Sequence, residues 1–201
     1  MAAGRGLLAA RAAIWGLALF LLGWATWLLF TSTSTEPVKE FQAATGLLAL
    51  RFLFFSLAIT PLRRLAGWHD AIKVRRLLGL WGFVFACVHL LAYLVFDHSL
   101  DPAAIATDIA KHPWVLVGTA AWLLLLPLAI TSTRGWIRRL GRRWQQLHRL
   151  AYVAAACGVV HFLWLVKKDV TEPVTYGAIL AVLLLLRLRP AAPRARAAGA
   201  A

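Results

Sequence analysis

Cysteine is scarce in this sequence, and so is acid. The two cysteines, Cys87 and Cys157, both fall inside apolar runs. They read as small core residues, and a disulfide at that depth is not expected. There is no C-x-x-C-H for covalent haem attachment, no paired C-x-x-C for zinc or an iron–sulfur cluster, and no H-E-x-x-H. Eight acids stand against 22 lysines and arginines, a formal charge of +14. Such a balance would suit nucleic acid, but the basic residues cluster in the connections between apolar runs. That distribution is a membrane topology signal with contact to anionic lipid.

What is present in quantity is apolar surface: 61% of the 201 residues, with a mean hydropathy of +0.72. Six apolar runs of membrane-spanning length consume most of the chain, so an all-α six-transmembrane-helix bundle is expected over residues 1–189, with no second globular domain. Residues 190–201, rich in Ala, Pro and Arg, read as a disordered basic tail. Span 1 covers residues 12–30, with Trp24 and Trp27 near its far end. Its run is too long for a signal-peptide core and lacks a clear cleavage site, so it reads as retained. Span 2 covers 43–60 and is closed by Pro61, with Arg51 well inside. Span 3 covers 77–96 and contains His89. An acidic loop, 97–113, has room for a short helical turn. Span 4 covers 114–131, with Pro127 late in it. Span 5 is the apolar run 147–166, carrying His148 and His161, and span 6 covers 175–186. Seventeen Lys/Arg fall on one side and four on the other. Lys/Arg-rich loops stay in the cytoplasm, which predicts both termini inside and a multi-pass inner-membrane protein.

A histidine inside a membrane span is costly unless paired or ligated. Spans 3 and 5 both run outward. His89 lies ~18 Å along the first and His161 ~21 Å along the second, so the two share a depth toward the outer side. Two neutral imidazoles facing each other across a bundle suit the axial positions of a non-covalently held, b-type haem iron. The bland alternative for either is a bond to a backbone carbonyl or a proton path. His148 is ~140° away from His161 in helical rotation and has no histidine at its depth on span 3. The residues there are Arg75 and Arg76, with Arg75 ~40° from His89. Two readings of His148 stay open: a second haem ligand, or a polar residue at a helix start. Arg51 reads either as a snorkelling side chain or as the partner of a haem propionate. His69, His98 and His112 fall in loops and are expected to be solvated.

The motifs EPVKEFQ with Thr45-Gly46, ITPL at 59–62, RRLLGLW at 75–81, His89, TST at 131–133, LGRRWQQLH at 140–148 and HFLWLVK at 161–167 resemble the MsrQ (YedZ) family of haem-binding membrane subunits. In its core the sequence is also similar to the transmembrane domain of ferric reductases. The resemblance covers nearly the whole chain except the tail. It implies an electron-transfer subunit rather than a catalytic one, carrying one haem b or two and associated with FMN. Electrons would come from the respiratory quinone pool or a cytoplasmic flavin reductase. They would pass to MsrP, a periplasmic molybdopterin enzyme that repairs methionine sulfoxide in oxidised proteins. Carried onto this sequence, His89 and His161 match the outer haem pair and His148 a further ligand position, while Arg75/Arg76 replace the inner histidine of ferric reductases. The rival readings are a metal-ion reductase of the ferric-reductase type and a non-redox transporter with a histidine relay. The first is weighed against by the missing inner histidine pair and by the lack of a flavin/NADPH domain in 201 residues.

Overall fold

A computed structural model describes residues 2–67 and 69–188, and all regular structure within them is helical. The elements are α1 (Ala2–Thr31), α2 (Pro37–Leu65), α3 (Ile72–Ala92), α4 (Pro102–Lys111), α5 (Pro113–Ile130), α6 (Arg134–Leu140), α7 (Arg142–Leu147), α8 (Leu150–Leu165) and α9 (Thr171–Leu188). A 3₁₀ turn, His69–Ala71, leads into α3, and a π-helical turn, Tyr93–Asp97, continues it. The tail at 190–201 and Trp68 lie outside the described residues. Three helices start with proline at their first positions, Pro37, Pro102 and Pro113. Proline is suited to that place, where its missing N–H would have had no helical partner.

Five helical stretches among the described residues are long and apolar enough to cross a membrane: Arg5–Thr31, Pro37–Leu65, Ile72–Asp97, Pro113–Ile130 and Arg142–Leu165. The expected sixth span, α9, forms as a helix of 18 residues but is not among them.

Two expected boundaries are corrected. Pro61 does not close span 2, because α2 runs on to Leu65 with Pro61 inside it. A helical proline leaves the carbonyl four residues earlier without its usual donor. Here that carbonyl belongs to Leu57, and the Arg187 guanidinium from α9 supplies the missing bond. The fifth span is not one continuous helix from 147 either. Its chain is interrupted by a turn at 148–149 between α7 and α8. The basic connection before it folds into α6 and α7, hinged at Gly141, whose φ of +51° is open to glycine at little cost.

The core sits where α2, α5, α8 and α9 meet, around Phe54, Leu57, Leu125, Ala155, Val159 and Leu180. A second cluster seats α1 through Ala18 against Phe52, Trp81 and Phe85. The most extensive helix contacts are α2 with α3 and α5 with α8. In the first pair Gly82 lies so close to α2 that a Cβ there would be 3.1 Å from the Leu53 nitrogen. Small residues at such crossings let membrane helices approach closely.

The outer loop 97–113 carries α4, capped by Asp101, whose carboxylate accepts from the Ala103 N–H at 2.9 Å. Asp108 ties α4 down. It accepts from the Tyr93 hydroxyl at 2.7 Å, pairs with His112 at 2.7 Å, and has His98 at 3.4 Å. His98 is therefore not solvated as expected: its side chain is 15% exposed and packs on the Tyr93 ring. His112 is more open but stacks on Trp114, and the side chain of His69 lies outside the described residues. The Tyr93 hydrogen bond first, and then His112 and His98, hold the Asp108 carboxyl below its ordinary value. A depressed carboxyl stabilises the fold fully above its unfolded-state pKa and loses that contribution as pH falls through its folded value. Docking of α4 should therefore weaken below about pH 4. Hydrogen exchange on residues 102–111 checks this: protection should fall in that window, and Asp108→Asn should remove the pH step.

Candidate functional site

Two helical hairpins build the site. In the first, α3 presents His89 to α2, and its Nδ1–H donates to the Gln42 carbonyl at 2.9 Å. In the second, α8 presents His161 to α5, and its Nδ1–H donates to the Trp114 carbonyl at 2.7 Å. A carbonyl can only accept, so each Nδ1 carries the proton and each Nε2 keeps its lone pair. Each ring also lies against a glycine. A Cβ on Gly46 would stand 3.1 Å from His89 Nδ1, and one on Gly118 would stand 2.7 Å from His161 Nδ1. The correspondence is regular: histidine, carbonyl and glycine of the second hairpin each follow their counterparts by 72 residues (89 to 161, 42 to 114, 46 to 118). The sequence shows no obvious repeat because the equivalent pieces share geometry more than residue type.

The two imidazoles meet with ring centroids 6.1 Å apart and planes at 78°. A metal bound through one ring nitrogen lies ~3 Å from that ring's centroid, given a metal–nitrogen bond of ~2 Å. Twice that distance is close to the observed separation. The two rings would thus fit as ligands of one metal, each with its other nitrogen oriented by a carbonyl. Among the described residues no group of three or more His, Cys, Asp or Glu could hold a metal ion. Two protein ligands fit a metal whose remaining positions a macrocycle fills, as in haem.

His148 does not join this pair. It sits in the turn between α7 and α8, stacked on Trp144 with centroids 3.8 Å apart, and its Nδ1–H donates to the Trp144 carbonyl at 3.1 Å. Its Nε2 is buried without a hydrogen-bond partner. The Leu128 carbonyl lies beside the His148 ring and also accepts from Ser132 Oγ at 2.7 Å. His148 thus repeats the pattern of the outer pair, one nitrogen tied and the other bare. Arg75 is the cation within electrostatic reach of it, and Ser56 Oγ donates to the Arg75 carbonyl at 3.0 Å.

Arg51 is directed elsewhere. Its Nε donates to the Tyr176 hydroxyl at 2.6 Å, and Nη2 lies 3.7 Å from Glu172, so it ties α2 to α9. Five residues along a helix rotate a side chain by ~140°, which turns Arg51 away from the Gly46 face that meets His89. The residue missed by sequence reasoning is Arg187, counted only as a cytoplasmic charge. It bonds the Leu57 carbonyl and the Tyr152 hydroxyl and lies 4.7 Å over the Tyr152 ring. The readable signal was Pro61, which frees a carbonyl that something must satisfy.

Comparison with known proteins agrees with this geometry. The family described as ferric reductase like transmembrane component matches residues 43–159, from α2 into α8. The chain is 52% identical over 168 residues to the protein-methionine-sulfoxide reductase heme-binding subunit MsrQ of Xanthomonas oryzae pv. oryzae (strain MAFF 311018), covering 82% of this chain and 77% of that protein. The chain belongs to the MsrQ family. The MsrQ of Herminiimonas arsenicoxydans is 48% identical over 166 residues, covering 80% of this chain and 76% of that protein. Both alignments exceed the two hairpins in length, so the MsrQ likeness is not confined to the histidine pair.

The glycine contacts differ in severity, which sets a test within this MsrQ-family site. A methyl group at 118 would overlap the His161 ring, whereas one at 46 needs the His89 ring to give by a few tenths of an ångström. Gly118→Ala should destabilise the detergent-solubilised protein by about 1–3 kcal/mol, the usual cost of overpacking. Gly46→Ala should cost less. Thermal unfolding of the two variants side by side checks the order.

Proposed function

We propose that this chain is a membrane b-type cytochrome of the bacterial inner membrane. In this reading it takes electrons from the quinone pool or a cytoplasmic flavin reductase and passes them to a periplasmic, MsrP-like molybdopterin enzyme that repairs methionine sulfoxide. The observation that carries the reading is the imidazole pair, each ring held by a backbone carbonyl with its second nitrogen bare, in a chain of the MsrQ family. The chain itself performs no substrate chemistry and serves as the electron-transfer subunit. Its topology in this reading is six spans, with α9 as the sixth and both termini in the cytoplasm.

His89 and His161 would hold the outer haem b, which supplies a one-electron iron couple when bound. The carbonyls of Gln42 and Trp114 fix the tautomer and orientation of the two rings. The apolar bundle around them excludes water and so bears on the potential of the site. His148, with Arg75 opposite, is the position for a second haem near the cytoplasmic face. Arg51, although turned from the Gly46 face, keeps donors beyond those used by Tyr176 and the loose Glu172 contact, and in this reading a haem propionate reaching past that face takes them. FMN belongs on the cytoplasmic side, in the connection around Trp68 or the one around Trp144–Gln146, where the electron donor would meet the chain. The outer segments 31–42 and 97–113, which include α4, form the docking surface for the MsrP-like partner.

The absorption spectrum of the purified protein, oxidised and then dithionite-reduced, tests this reading together with a pyridine haemochrome assay of haem per chain. A Soret band that shifts on reduction, with a sharp α band, is expected. Alanine at His89 or at His161 should abolish that signal, and a double variant that keeps its full haem would remove the ligand assignment. His148→Ala should lower the haem per chain while sparing the outer signal; an unchanged ratio would leave His148 as the partner of Trp144 alone. For Arg51→Leu, lower haem retention is expected, and unchanged content would reduce Arg51 to its tie with α9.

A further inference from the structure

On the inner half of the bundle, two buried polar atoms near the α2–α9 contact stand without a hydrogen-bond partner, Arg187 Nε and Thr60 Oγ1. Arg187 spends two of its nitrogens on the Leu57 carbonyl and the Tyr152 hydroxyl, but its Nε is buried with no partner. Tyr152 accepts from Arg187, and none of the hydrogen bonds described for it uses the hydroxyl proton. Thr60, three residues beyond Leu57 on α2, has a buried hydroxyl that is also without a partner. Arg64, one turn further along α2, donates to the Arg187 carbonyl at 3.2 Å. Arg75 of α3 lies within electrostatic reach of Arg187, as does Arg64. Arg187 of α9 thus feels two further guanidinium charges, one from α2 and one from α3.

Among the described residues no carboxylate pairs with Arg187 or Arg75. Of the eight acids in the sequence, seven lie on the outer side of the bundle or in its outer connections, and Asp70 alone is on the inner side. Asp70 pairs with Lys73. Like charges brought together at a partly desolvated site repel, and buried donors left unsatisfied are costly. A group that only accepts hydrogen bonds and carries negative charge removes both penalties. The place is also flanked by apolar surface: Leu62 and Leu65 of α2 and Leu185 of α9 are all exposed. Basic pockets between membrane helices with such flanks receive the phosphate of an acidic lipid, whose acyl chains cover the apolar sides.

We infer that Arg187, Arg75, Tyr152 and Thr60 form a binding site for the phosphate group of an acidic phospholipid, seated between the inner ends of α2 and α9. Arg187 is its centre, because it joins α2, α8 and α9 and still has a free donor. The lipid would complete the packing that Pro61 opens, and α9 would be held to the bundle through it. Lipid nanodiscs present both faces, so the test below does not depend on the orientation proposed above.

The full-length, haem-loaded protein is placed in nanodiscs of phosphatidylcholine alone and in nanodiscs that also contain phosphatidylglycerol. Thermal unfolding is followed by tryptophan fluorescence and haem content by absorbance. The acidic lipid should raise Tm by about 3–5 °C, as expected for a ligand present well above its Kd. Arg187→Gln and Arg75→Gln should each lose most of that rise, and Thr60→Val part of it. The reading is the difference between lipids for each variant, so a general loss of stability in Arg187→Gln does not obscure it, and Arg75→Gln serves if Arg187→Gln does not fold. A rise of the same size with inorganic phosphate in phosphatidylcholine nanodiscs would keep the phosphate site and make its ligand a soluble phosphate compound. Equal rises in wild type and variants, or no rise in wild type, would overturn the inference. Haem loss from Arg187→Gln in every lipid would also overturn it, by placing a haem carboxylate at the arginines.

Discussion

A histidine in a membrane interior must have both ring nitrogens accounted for, and much else in this chain follows from how that is done. His89 and His161 each give one nitrogen to a backbone carbonyl. That requires the carbonyl-bearing helix to stand close to the histidine-bearing one, which in turn requires glycine at 46 and 118. Close approach then fixes which helices pair: α2 with α3 and α5 with α8, the two tightest associations in the bundle. The remaining helices fill in around these hairpins. α1 covers one side through Ala18, and α9 closes the other through Tyr176 and Leu180.

The two ends of the bundle are electrostatically opposite, and each solves a different problem. On the outer side, acids find hydrogen-bonding partners: Asp108 takes Tyr93, His98 and His112, and Asp97 accepts from Gln42 at 3.0 Å. Gln42 therefore faces two ways, its carbonyl toward His89 and its amide toward the outer loop. Trp114 does the same for the second hairpin, with its carbonyl on His161 and its ring on His112. Each imidazole of the pair is thereby one residue removed from the aqueous face. On the inner side, among the described residues, the one acid, Asp70, pairs with Lys73 and no carboxylate pairs with Arg187 or Arg75.

Part of this was legible in the sequence, for physical reasons. Hydropathy and charge distribution locate apolar helices and their connections, because lipid accepts one and rejects the other. Residue counting placed His89 and His161 at one depth because a helix has a fixed rise. What could not be read depends on atoms that every residue has. The acceptors of the two histidines are main-chain carbonyls, so Gln42 and Trp114 carry no mark of that role in their side chains. Pro61 looked like a terminus because proline usually is one, and only the presence of Arg187, 126 residues later, shows how the helix passes through it. Arg51 drew attention as a lone charge within a span, while its partners, Glu172 and Tyr176, lie on a helix far away in sequence.

The use of main-chain oxygens to orient both imidazoles also shapes how the site can drift. Nearly any residue at 42 or 114 would still offer its carbonyl, so side chains there are free to adapt to the aqueous face without disturbing the rings behind them. The burden moves to positions 46 and 118, where the smallest possible increment, one methyl group, presses directly on an imidazole. The site is thus robust where it faces outward and brittle where helix meets helix.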